Sequence, residues 1–238
     1  GYNVVLHEVG KPYTVKRVLS QDGSPGDYYS NRVYWSPDSR YILVCRRQPV
    51  PKRYVYYVES SPRDQLQPIL HKQEYAKPGD RLPQHTPVIF DTRTGTRVEA
   101  DMTVCGNQYD LGNFRWQPDS REVTMEYNRR GHKLVSILAM DAVTGRMRTV
   151  VEERSETFVN YTRYFRHDYC DGSRVIWMSE RDNWNHLYLY DMAEGKVIRQ
   201  ITRGEWCVRE VVRVDEQAGL IYFCLLYTSD AADEGLGV

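Results

Sequence analysis

The clearest hydrophobic pattern runs from Val175 to Thr202, VIWMSERDNWNHLYLYDMAEGKVIRQIT. Val175 to Met178 is a short apolar run, ERDNWN is a polar turn, and HLYLYD is rich in the branched and aromatic residues that suit a pleated surface. The tripeptide AEG turns the chain again. Lys196 to Thr202 alternates polar and apolar only roughly, which predicts a strand with one face buried and the other partly so. Three consecutive strands with tight turns make an antiparallel meander.

The same pattern recurs along the chain. Tyr2 to Leu19 reads as two strands, VVLHEV and YTVKRVL, joined by a GKP turn. After the Gly- and Pro-broken QDGSPGDYYSN, VYWSPDSRYILVCRR begins a unit in which Pro37, Asp38 and Ser39 turn the chain between two strands. That string returns as FRWQPDSREVTMEY and, more weakly, as YFRHDYCDGSRVIWMS. The second half of each unit repeats too: FDTRTG, MDAVTG and YDMAEG place Asp91, Asp141 and Asp191 at 50-residue intervals. A regular period is the signature of a repeat architecture, and this one suits a four-stranded propeller blade better than a helical hairpin. The aspartate four residues before each glycine is read as a turn device that accepts backbone N–H bonds and leaves the glycine for positive φ. WCVREVVRVDEQAGLIYF resembles the first two strands of a further blade. The expectation is an all-β, incomplete β-propeller of four-stranded antiparallel blades over residues 1–223, about three blades plus partial ones at both ends.

Between Glu59 and Pro87 the repeat is interrupted by ESSPRDQLQPILHKQEYAKPGDRLPQHTP. Its prolines, Pro62, Pro68, Pro78, Pro83 and Pro87, argue against a central strand over most of the stretch and for a surface excursion. The text also changes after Phe223. Cys224 to Glu234, CLLYTSDAADE, reads as one frame of a transposase adapter used to build sequencing libraries, so residues 224–238 are expected to be non-native.

Composition narrows the function. Lys plus Arg and Asp plus Glu each number 32, which leaves no net charge and no electrostatic footprint for nucleic acid. Nineteen tyrosines suit many short strands whose rings pack on one side and reach water with the hydroxyl. No apolar run is long enough to span a membrane as a helix. Cys45, Cys105, Cys170, Cys207 and Cys224 lack close spacing, which argues for buried free thiols over a zinc site or a disulfide framework. The chain opens on Gly1 and shows no leader pattern, so residues are expected to precede it and compartment stays open.

Chemistry-bearing motifs are few. There is no GxSxG, HExxH, GxxxxGK[ST] or GxGxxG, so no catalytic residue, metal site or cofactor is assigned. His7, His71, His85, His132, His167 and His186 are scattered and are read as turn or rim residues. Glu152 and Glu153 adjoin in VVEERSETF, and because neighbours in a strand face opposite ways, they read as a solvated strand end and not an acid/base pair. Asn160-Tyr161-Thr162 matches a glycosylation sequon.

Several strings together resemble the N-terminal β-propeller of the dipeptidyl peptidase IV family of serine peptidases, in the prolyl-oligopeptidase clan. WSPDSRYILVCRR is similar to that family's blade-opening string, and QEYAKPGD followed by Pro87 is similar to its Tyr-Pro-Lys-Ala-Gly loop. EYNRRGH, SERDNWNHLYLYD and ITRGEW resemble bacterial members, which carry Gly where this chain has Asn183. The resemblance covers about Tyr2 to Phe223. It implies a parent, periplasmic or secreted, in which an α/β-hydrolase domain carries a Ser, Asp, His triad. The propeller would gate access for peptide substrates and hold their free N-terminus, with self-association of the parent as a further option. The family's Glu-Glu pair precedes the WSP string, where this chain reads DGSPGDYYSNRVY without glutamate; the residues that would bind substrate are left unassigned. The alternative function is a non-catalytic propeller scaffold or ligand-binding module.

Overall fold

The computed structural model describes residues 1–226; residues 227–238, most of the segment expected to be non-native, lie outside it. The strands are β1 (Val5–Glu8), β2 (Lys11–Val18), β3 (Tyr28–Trp35), β4 (Tyr41–Gln48), β5 (Tyr54–Glu59), β6 (Ile69–Glu74), β7 (Gln84–Asp91), β8 (Arg97–Glu99) and β9 (Gln108–Trp116). They continue as β10 (Glu122–Arg129), β11 (Leu134–Asp141), β12 (Met147–Arg154), β13 (Arg166–Asp168), β14 (Arg174–Ser179), β15 (His186–Asp191), β16 (Lys196–Gln200), β17 (Cys207–Asp215) and β18 (Leu220–Leu226). Among the described residues, three four-stranded sheets form, in the orders β3-β4-β7-β8, β9-β10-β11-β12 and β13-β14-β15-β16. They are flanked by the pairs β1-β2 and β17-β18, so the expected succession of three blades and partial units is what the chain adopts.

The described residues divide into two compact units, Gly1–Arg32 with Val44–Pro87 and Val33–Leu43 with 88–226. In the first, β1 pairs with β2 and β5 with β6. Arg46 Nε donates to Asp27 Oδ1 at 2.6 Å, and the Asn3 side chain accepts from the Gly23 N–H at 2.8 Å. The second unit carries the 50-residue repeat, and its recurrent turns have one construction. Ser39, Ser120 and Gly172 occupy the same turn position with φ of 59°, 62° and 72°. The preceding aspartates Asp38, Asp119 and Asp171 accept from the N–H two residues on, in Arg40, Arg121 and Ser173. Asp91, Asp141 and Asp191 close the other turn as expected. Asp91 accepts from the N–H groups of Arg93 and Thr94, Asp141 from those of Val143 and Thr144, and Asp191 from that of Glu194. The glycines that follow, Gly95, Gly145 and Gly195, sit at φ of 83°, 73° and 64°. Gly145 admits no larger residue for a second reason: a Cβ there would lie 2.1 Å from the Glu99 carbonyl oxygen.

Stacking of successive blades explains why inner strands read as continuous apolar runs. On β14, Val175 and Trp177 join a core with Val135, Ile137, Val150 and Val151 of the preceding sheet, while Ile176 and Met178 join one with Val208 of β17. Both faces of β14 are therefore dry, and period-2 alternation disappears. β16 is the opposite case. It is an edge strand, and Lys196 to Arg199 are exposed, which corrects the half-buried face expected from its rough alternation.

Two further expectations change. The stretch between Glu59 and Pro87 contains a strand, β6, which forms a hairpin with β5, and the hairpin begins before the interruption at Tyr54. Pro87 lies within β7, an interior strand of its sheet. Of the five free cysteines only Cys45 and Cys105 are buried; Cys170 and Cys224 are exposed and Cys207 is intermediate.

Candidate functional site

The richest polar constructions lie where the second and third four-stranded sheets of the second unit meet. β9 carries a bulge: Arg115 pairs with Thr124 and Gly112 with Glu126, so Asn113 and Phe114 together oppose Met125. Bulges re-aim side chains, and here Asn113, at φ 52°, donates from Nδ2 to Glu126 Oε2 at 2.7 Å. Tyr164 donates its hydroxyl to the same oxygen at 2.7 Å. Arg166, whose side chain is 2% exposed, donates to Glu126 Oε1 at 3.3 Å, to Thr124 Oγ1 at 2.6 Å and through a two-toothed contact to Asp168 at 2.8 Å for each tooth. A carboxylate and a guanidinium can remain charged in so dry a place because each polar atom of the pair has a partner. Burial and the Glu126 carboxylate push the Tyr164 phenol well above its usual range, so it stays a hydrogen-bond donor.

Beside this network is a second buried carboxylate. Glu153, on β12, accepts from Ser179 Oγ at 2.7 Å and from the Glu180 N–H at 3.2 Å, and Arg181 lies 3.6 Å away. Arg181 is held in turn by Ser179 Oγ and the Tyr190 hydroxyl, with its guanidinium over the Tyr188 ring. The turn that brings Arg181 round holds Asn183 at φ 69°, in the left-handed region that asparagine tolerates better than most residues other than glycine. Glu152 points the other way and pairs with Arg154 on the exposed face. The two glutamates are thus split by strand alternation, as the sequence predicts. Glu153 is nonetheless not a solvated strand end, because the neighbouring sheet covers it.

The segment 155–165 arches from β12 to β13 and is fixed at Val159, whose N–H donates to the His132 carbonyl at 2.7 Å. Under it lies a cavity of about 190 Å³ lined by Glu153, Arg163, Tyr164, Trp177, Glu180 and Arg209, with Val159, Met178 and Val208 as apolar wall. Trp177 is fully buried, its ring 4.6 Å from that of Tyr164. Its indole N–H finds no acceptor among the described residues.

The other residues singled out from sequence do not converge. His186 is a core histidine and not a rim residue: it is fully buried, bonded at Nδ1 to Thr202 Oγ1 and at Nε2 to the Gly204 carbonyl. His167 bonds Glu216 at 2.9 Å and His71 bonds Glu59 at 2.8 Å, at separate places. His132 sits in a turn at φ 55°, stacked on Tyr161, and burial lowers its pKa. Among the described residues no group of three His, Cys, Asp or Glu side chains could hold a metal ion. The Asn160 side chain accepts from the Thr162 hydroxyl at 2.9 Å within the arching segment. Residues 22–34, where a Glu-Glu pair would be sought, form a Ser24–Asp27 bridge and most of β3. Sequence reasoning missed the Glu126–Arg166 network and Trp177, because no short motif marks residues that meet only when two sheets pack.

Four-stranded antiparallel sheets repeated at a fixed period, stacked face to face with polar networks at their junctions, define a bladed β-propeller module. The model of the dipeptidyl peptidase IV (DPP IV) N-terminal region matches residues 28–225, and the chain belongs to that family. Probable dipeptidyl peptidase 4 of Neosartorya fischeri is 23% identical over 213 residues, covering 83% of this chain and 27% of that protein. Dipeptidyl peptidase 4 of Arthroderma otae is 46% identical over a shorter stretch of 46 residues, 19% of this chain and 6% of that one. Among solved structures, dipeptidyl peptidase 4 of Porphyromonas gingivalis superposes with a TM-score of 0.64 at 17% identity, over 87% of this chain and 31% of its own. The chain thus spans about a quarter to a third of the length of these full-span relatives.

Proposed function

We propose that this chain is the non-catalytic, substrate-gating propeller region of a serine-type exopeptidase that cleaves peptides near a free N-terminus. The observation that carries the reading is the family match over residues 28–225, in register with three four-stranded blades. A rigid propeller rim excludes folded proteins sterically and admits extended peptides. A carboxylate held in a dry rim can pair with a peptide α-ammonium through a charge-assisted hydrogen bond, stronger than a neutral one. Cleavage itself needs an activated serine and an oxyanion hole, which a hydrolase domain in the parent would supply. The parent is read as periplasmic or secreted, with peptides as its substrates.

One feature favours the rival, a propeller that binds without catalysing: residues 22–34 contain no glutamate to hold a substrate ammonium. Reading the source gene past the codon for Phe223 and expressing the whole product separates the two. The peptidase reading expects a GxSxG elbow with later Asp and His, and hydrolysis of dipeptidyl anilides that is lost when their N-terminus is acetylated. A frame that closes after further blades, with no hydrolase domain, overturns it.

A further inference from the structure

We propose that His132 is a proton-sensitive pin for segment 155–165, holding it against the β10–β11 turn while the imidazole is neutral and loosening it when the ring takes up a proton. Backbone and side chains both make the attachment. The His132 carbonyl accepts the Val159 N–H at 2.7 Å, and the Lys133 carbonyl accepts the Ser155 N–H at 3.1 Å. The imidazole lies 4.5 Å from the Tyr161 ring at an interplanar angle of 21°. Phe158 of the same segment meets it nearly perpendicularly at 5.7 Å, and Tyr109 of β9 does so at 4.3 Å. Two aromatic rings of the segment are thus seated on one histidine side chain, and a backbone N–H on that residue's carbonyl.

These surroundings suit the neutral ring. Nδ1 faces Asn128 Oδ1, an acceptor, at 3.2 Å, which assigns the proton of the neutral imidazole to Nδ1. A second proton goes to Nε2, which has no hydrogen-bond partner among the described residues. Three cations, Arg129, Arg130 and Lys133, flank the ring in its own turn. Of the acids on the packed elements, Asp110 lies opposite Asn128 across β9 and β10 and bears on Tyr164, Glu126 is taken up by Asn113, Tyr164 and Arg166, and Glu156 is exposed. Across β11, Arg154 is paired to Glu152. Tyr161 shares a hydrogen bond with Tyr109 that holds its phenol above the usual range, so it supplies no negative charge. Attraction of an imidazolium to the Tyr161 face opposes these effects. Burial nonetheless lowers the His132 pKa.

The direction with pH follows. In the released segment the ring meets water and titrates near the ordinary histidine value of about 6.5. The pin is therefore complete above that pH, and it weakens as pH falls through it and on through the lower value of the pinned ring. Tyr164 stays tied to Glu126, so opening is local to the first part of the segment and leaves the blade junction closed. No substrate or hydrolytic step enters the inference, which stands apart from the peptidase reading.

The test is hydrogen exchange of the whole chain, followed by mass spectrometry at about pH 7.5 and about pH 5 and corrected for the intrinsic rate at each pH. Protection over residues 155–162 is expected to fall several-fold at the lower pH, while that of β11 changes less. His132→Asn places a residue that tolerates the left-handed turn and takes up no proton. Its segment is expected to be less protected at both pH values and to lose the difference between them. NMR titration of the His132 ring in the unaltered chain serves even if that variant fails to fold, with a midpoint expected below about 6.5. A midpoint at or above that value, protection that does not change with pH, or the same change in His132→Asn overturns the proposal.

Discussion

Replacing Arg166 with methionine asks how much the junction of the second and third blades depends on its buried charges. Methionine fills much of the same volume without strain. The change removes the only donor to Glu126 Oε1 among the described residues, while Asn113 and Tyr164 still serve Oε2. It also strips Asp168 of its two-toothed contact, although Arg115 remains 3.2 Å away. Breaking one side of a buried pair costs about 3–5 kcal/mol, because a carboxylate is left dry and uncompensated. With a urea slope of roughly 2 kcal/mol per molar, that is a fall in midpoint of about 1.5–2.5 M. The double change Arg166→Met with Glu126→Leu removes the stranded charge and exposes Tyr164 and Asn113 to loss of one acceptor. It should therefore recover about 2 kcal/mol relative to Arg166→Met alone, a coupling that a double-mutant cycle reads directly. Tryptophan fluorescence during urea unfolding is a suitable signal, since Trp177 packs on Tyr164. A single-mutant cost under about 1 kcal/mol, or a double mutant no more stable than Arg166→Met, refutes the claim that the pair must stand or fall together.

Three further outcomes are expected. Tyr164 titrates in the folded chain above the unfolded value of about 10, so its contribution is complete below that pH and is lost as pH rises through the folded value; Tyr164→Phe should flatten part of the alkaline decline in urea midpoints. Gly145→Ala forces both positive φ and a clash with the Glu99 carbonyl, whereas Gly219→Ala meets open space at φ 67°, so the second should cost about 1–2 kcal/mol and the first clearly more in the same melts. Iodoacetamide should leave Cys105, whose thiol burial pushes up to about 12, untouched until unfolding; Cys170 is exposed but held above its usual range by the Glu216 carboxylate, so Glu216→Gln should speed its alkylation at pH 8, and an unchanged rate by mass spectrometry counts against that contact.

The repeat was the legible part. The DTRTG, DAVTG and DMAEG strings announce a turn because an aspartate acceptor and a glycine at positive φ are both local requirements, met within five residues of chain. The same holds for PDSR and DGSR, where serine tolerates the left-handed position that glycine fills more easily at Gly172. Burial was less legible wherever it depends on what packs above. Glu153 looks exposed in VVEERSETF, and Lys196 to Gln200 looks half-buried. The first is covered by Ser179 and Arg181 of the next sheet, and the second lies on an edge. His186 reads as a rim residue because its partners, Thr202 and the Gly204 carbonyl, lie across two turns. The hairpin β5-β6 was obscured by prolines that in fact flank β6, leaving Ile69 to Glu74 free to pair.

What distinguishes the candidate site is where the third blade departs from the repeat. Counting from the left-handed turn residue of each blade, Trp177 stands where the others have Val44 and Met125, two fully buried side chains with no hydrogen-bond donor. Counting from the turn aspartate, Glu153 stands where the neighbouring units have Thr103 and Arg203. Packing alone would be served by an aliphatic residue at the first position, and an indole there brings a donor that the blade does not use. The arching segment 155–165 places Tyr164 between the two constructions, its hydroxyl on Glu126 and its ring against Trp177. A side chain that fixes the blade junction therefore also forms one wall of the cavity. Loss of the Glu126–Arg166 pair should therefore reach Trp177 through Tyr164, and a changed tryptophan emission of folded Arg166→Met is the sign of it.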